Sequence, residues 1–111
     1  MSNTCIHYRY ADGANCKQGG SVIFSGLLST SELSALQDTL DSEGFFVPTA
    51  IGLPHLLKVA FDEDIDHPYH TLQDIEPVDQ PPTDSRTVAQ LLTAFQKADW
   101  ETAATEWTMS Q

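Results

Sequence analysis

Polar and apolar positions alternate over residues 4–11 (Thr-Cys-Ile-His-Tyr-Arg-Tyr-Ala), with Ile6, Tyr8 and Tyr10 on one side and Cys5, His7 and Arg9 on the other. A period of two is the mark of a strand that buries one face. Asp12-Gly13 opens a polar loop that runs to Gly19-Gly20, and residues 21–25 (Ser-Val-Ile-Phe-Ser) read as a second strand returning as a hairpin. The period changes at Ser29. Ser29 and Glu32 have the spacing of a capping box, and Leu33, Leu36 and Leu40 fall on one stripe of the helix that follows, with Gly44 as its expected stop.

The middle of the chain is apolar but irregular. Phe45-Phe46-Val47 runs into Pro48, and Gly52-Leu53-Pro54 punctuates again, so this connection is expected to pack over the core edge or line a contact surface. Residues 55–61 (His-Leu-Leu-Lys-Val-Ala-Phe) read as a third strand with Leu57, Val59 and Phe61 on one face, and residues 69–76 as a fourth that pairs back on it. Pro77, Pro81 and Pro82 make 77–83 an extended connector. A second helix, capped by Asp84 or Ser85, carries Val88, Leu91, Leu92 and Phe95 at helical spacing.

Trp100, Ala103, Ala104 and Trp107 repeat that spacing in a different register. Phe95 and Trp100 are five positions apart, which turns the second stripe by about 140°. Two geometries satisfy this. A break at Asp99 would fold both tryptophans back onto their own sheet. An unbroken helix would present Trp100 and Trp107 to a second copy, and a homodimer built on them is the expected assembly. The whole succession predicts one α+β domain over 1–111. It has a mostly antiparallel four-stranded sheet with two or three helices on one face, in β-β-α-β-β-α order.

Charge narrows the partners. Sixteen acidic residues face five basic ones, for a formal net charge of −11. Eight of the sixteen lie between Lys58 and Arg86 with no lysine or arginine among them: Asp62, Glu63, Asp64, Asp66, Asp74, Glu76, Asp79 and Asp84. Direct nucleic-acid binding requires cations to neutralise phosphates, so nucleic acid is excluded, as is an anionic membrane surface. A basic protein surface is the partner this charge admits. No run approaches the length of a membrane span, and the first residues carry no basic and apolar leader pattern, so the cytoplasm is the expected compartment. Cys5 and Cys16 would sit on the order of 20 Å apart if residues 4–11 are extended, too far for a disulfide, and are read as free thiols.

No cofactor is expected, and the candidate chemistry is sparse. Asp62-x-Asp64-x-Asp66 begins like a calcium loop, but its sixth and twelfth positions are His67 and Gln73 where a glycine and a bidentate glutamate are needed. Asp66, His67 and His70 form the alternative, a transition-metal set with possible hydrolytic chemistry. Cys5 or Cys16 with His7, or a serine with a histidine and an aspartate, could furnish a nucleophile; Cys5 and His7 share a strand face. No nucleophile elbow, H-E-x-x-H helix or phosphate loop is present. The reading is a non-enzymatic accessory protein, inhibitor-like, that docks a basic partner through residues 62–84, with Asp62, Glu63, Asp64, Asp66, Asp74 and Glu76 as its binding residues.

Overall fold

The computed structural model describes residues 2–111. Its elements in chain order are β1 (Asn3–Ala11), β2 (Lys17–Ser25), α1 (Thr30–Gln37), β3 (Phe45–Phe46), a 3-10 turn (Pro48–Ile51), β4 (His70–Val78), α2 (Val88–Lys97) and α3 (Trp100–Met109). The four strands form one antiparallel sheet in the order β2-β1-β4-β3. This is the expected α+β class, with three helices.

The alternation in β1 sets the layers. Ile6, Tyr8, Tyr10 and Phe24 point inward and pack with Leu36 of α1, Phe46 and Ile51 of the middle segment, and Val88, Leu91, Leu92 and Phe95 of α2. All four α2 positions are the ones the helical spacing marks. Burial of a Leu or Phe side chain contributes roughly 1.5–3 kcal/mol each, so this single inner layer holds the domain together. Gly20 stands opposite Tyr8, and a Cβ there would come within 2.8 Å of the Leu56 side chain that lies across the strand. The glycine makes room for the middle segment to close over β2.

Four expectations are corrected. Residues 55–61 are not a strand, and β4 pairs with β1 instead of returning on them. Both edges of β1 are taken by β2 and β4, and the start of the outer edge of β4 is taken by Phe45–Phe46, the short strand that the sequence pattern passes over. The chain from Leu53 onward instead crosses the inner face as irregular backbone, with Leu53 and Leu56 held in the core and Val59 74% exposed. β4 also continues through Pro77, opposite Thr4. Beyond His70 and Thr71 its outer edge has no strand partner among the described residues, so a residue without an N–H is tolerated there.

The third correction concerns helix ends. α1 has its capping box at Ser29 and Glu32, but it stops at Asp38; Gly44, at φ +84°, instead closes a turn with Asp41. α2 is capped by Thr87 with Gln90, not by Asp84 or Ser85. Asp84 accepts from the Arg86 guanidinium, which also donates to the Ile51 carbonyl at 2.6 Å and ties the connector to the middle segment.

Finally, the C-terminal helix breaks. Asp99 accepts from the Thr102 N–H and starts α3 afresh. The break turns Trp100 back toward its own core, where its indole N–H donates to the Thr39 carbonyl at 2.7 Å and its ring meets Phe46 and Phe95. An unbroken helix that would present Trp100 and Trp107 together to a second copy is not the geometry the chain adopts. No helix among the described residues is long and apolar enough to cross a membrane.

Candidate functional site

Three histidines surround the Tyr10 ring at the open end of β1. Ring centroids lie 4.6 Å away for His55, 5.1 Å for His67 and 5.0 Å for His70. Every nitrogen of the three is occupied by backbone. His55 Nε2 donates to the His67 carbonyl and its Nδ1 accepts from Leu57; His67 Nε2 donates to the Ala11 carbonyl and its Nδ1 accepts from Tyr69. His70 Nδ1 donates to the Pro68 carbonyl and its Nε2 accepts from Leu56. An imidazole that both donates and accepts carries one proton and has no lone pair left for a metal. The rings serve as clips that satisfy the irregular backbone of 55–70, which has no ladder to satisfy it.

Electrostatics agrees for His70 and His55. Burial, followed by the field of His55, drives the His70 pKa down to about 3. Burial also lowers that of His55. Tyr10 donates to Asp66 Oδ1 at 2.6 Å and accepts from the His67 N–H at 3.2 Å. Burial and the Asp66 hydrogen bond push its phenol well above the usual range. Asp66, His67 and His70 are therefore neighbours around Tyr10, but they do not converge as a ligand set.

Six of the eight acids of this segment fall into two groups. Asp62 and Asp66 fold the chain into a turn: Asp62 Oδ1 accepts from Asp64 N–H, and Asp66 Oδ2 accepts from Asp62 N–H at 2.8 Å. Glu63 and Asp64 project from this turn into solvent, and Gly13 N–H donates to the Ile65 carbonyl, fixing the turn against the β1–β2 loop. The second group lies along β4, where Asp74 stands opposite His7 and Glu76 opposite Cys5. Only Glu76 and Asp84 of the eight carboxylates have a lysine, arginine or histidine nitrogen within 4.0 Å among the described residues, from His7 and Arg86 respectively.

The outer face of the sheet holds a different cluster. Cys5 and His7 sit two positions apart on β1, Ser21 of β2 faces His7 from one side, and Glu76 of β4 faces Cys5 from the other. His7 Nε2 lies 3.0 Å from Glu76 Oε1, and the Ser21 hydroxyl lies 2.8 Å from His7 Nδ1. Cys5 Sγ, one His7 nitrogen and one Glu76 oxygen all fall within 4.8 Å of one another. Cys5 is 5% exposed, and burial, with the charges of Glu76 and Asp74, raises its thiol pKa. Both cysteines are free thiols, Cys16 being exposed in the β1–β2 loop.

Strand alternation is enough to join Cys5 to His7. It could not find Ser21 or the pairing with Glu76, because those depend on hairpin register and on which strand β4 joins. Comparison of the chain with protein-family models, with curated proteins and with solved structures gave no match.

Proposed function

We propose that this protein is a non-enzymatic binding protein that docks a basic protein surface through residues 62–84. The observation that carries the reading is the shortage of internal cations. Asp62, Glu63, Asp64, Asp66, Asp74 and Asp79 have no lysine, arginine or histidine nitrogen within 4.0 Å among the described residues. Self-repulsion of this kind lowers stability and is relieved when a partner supplies the counter-charge. The acids run from the 62–66 turn along β4, a strand on the order of 30 Å long. That spacing suits an extended basic surface, and a protein that itself binds phosphates is one such partner.

The test is capture of partners from the native host at low salt with three forms of the protein. Wild type should retain a basic protein that elutes as salt rises. A form with Asp62, Glu63 and Asp64 changed to lysine should lose it. A form with Glu43, Glu101 and Glu106 changed to lysine, outside the segment but equal in charge, should keep it. Equal loss in both altered forms would mean that net charge alone, not this segment, governs retention.

A further inference from the structure

The geometry points to a binding site for a divalent transition-metal ion of the zinc class on the outer face of the sheet, ligated by Cys5, His7 and Glu76. One sulfur, one imidazole nitrogen and one carboxylate oxygen already lie within 4.8 Å of one another. Ligands around a tetrahedral zinc at its usual bond lengths stand roughly 3.5 Å apart, so modest side-chain rotations bring the three to the ion. Their mixed S, N and O character selects borderline-soft ions such as zinc and cobalt over calcium and magnesium, which take oxygen ligands.

The surroundings supply what such an ion requires. The three ligands come from two adjacent strands held in antiparallel register, Cys5 directly opposite Glu76, which fixes their spacing through the backbone. The Ser21 hydroxyl is 2.8 Å from His7 Nδ1 and can accept from that nitrogen when Nε2 turns its lone pair to a metal. Metal-bound histidines are oriented by such a second partner. Asp74, across from His7, adds negative charge beside the thiol without ligating it. On binding, the Cys5 thiol releases its proton to solvent and the thiolate bonds the metal, with no change of oxidation state. Three protein ligands leave a fourth position for water. The three histidines near Tyr10 offer no competing site, since both nitrogens of each ring are bonded to backbone groups, whereas the two partners of His7 are side chains that can turn away.

Untagged, reduced protein titrated with Co2+ and then competed with Zn2+ tests this. One equivalent of Co2+ should bind with a near-ultraviolet thiolate-to-cobalt charge-transfer band, and Zn2+ should displace it. Cys5→Ser should abolish the band, while Cys16→Ser should leave it intact. His7→Gln and Glu76→Gln, on partly exposed side chains, should each weaken binding at least about tenfold, and Ser21→Ala about tenfold, with unchanged circular dichroism. Absence of a charge-transfer band at micromolar protein with excess Co2+, a band that follows Cys16, or full affinity in folded His7→Gln and Glu76→Gln would each overturn the assignment.

Discussion

The two faces of the β1–β4 ladder carry the same kinds of side chain and put them to opposite uses. On the inner face His70 is 1% exposed, bonded at both nitrogens and pressed against Tyr8, Tyr10 and Phe46. On the outer face the His7 side chain is 34% exposed and meets only side chains, Ser21 and Glu76. A histidine whose nitrogens are spent on backbone is a structural part. One held between a hydroxyl and a carboxylate keeps its chemistry available. Residue type does not distinguish them; what they are bonded to does.

The largest effect expected from breaking this contrast is at His70. His70→Ala leaves a cavity among aromatic rings and removes the acceptor for the buried Leu56 N–H, at a cost of about 3–5 kcal/mol in urea unfolding. A cost under about 1 kcal/mol would mean that the inner face is not held by this ring.

Acid should act through the same residue. The folded-state pKa of His70, about 3, lies below the ordinary histidine value of 6.5, so the unfolded chain binds the proton more readily between those values. Stability from this group is fully present above about pH 6.5 and is lost as pH falls toward 3, by roughly 3 kcal/mol at pH 4. His55, also lowered by burial, contributes in the same direction. Unfolding measured from pH 7 to pH 4 should fall less steeply for His70→Gln than for wild type. Identical slopes would remove His70 as the cause.

A smaller effect is expected at the rim of the inner cluster. Trp107 stacks on His55 with centroids 4.3 Å apart and planes at 10°, so Trp107→Ala should cost about 1–2 kcal/mol while leaving a folded domain. The smallest effect belongs to the outer face. His7→Gln should change stability in metal-free buffer by less than about 0.5 kcal/mol. A loss comparable to that of His70→Ala would erase the difference between the faces.

Legibility followed the range of the physics involved. The inward set Ile6, Tyr8 and Tyr10, the α2 stripe from Val88 to Phe95 and the capping box at Ser29 were all readable, since each rests on neighbours a few residues away. The break at Asp99 was readable only as one of two geometries. Residues 55–61 alternate locally like a strand, yet Leu56 is drawn into the inner layer and the chain there joins no ladder. The His67-x-x-His70 spacing misled in the same way, since nearness along the chain says nothing about which nitrogens the backbone will claim.

By itself, then, the sequence determined which side of each strand and helix faces inward, because side-chain direction follows from local backbone period. It also determined the excess of carboxylates over cations, which no folding can change. Tertiary structure alone decided which strand β4 joins and therefore which groups meet. His7 and Glu76 are 69 residues apart in the chain and Tyr10 and Asp66 are 56 apart, yet each pair is within hydrogen-bond reach. Such pairs are selected by the competition of whole strands for a limited number of edges, and no local pattern encodes the outcome of that competition.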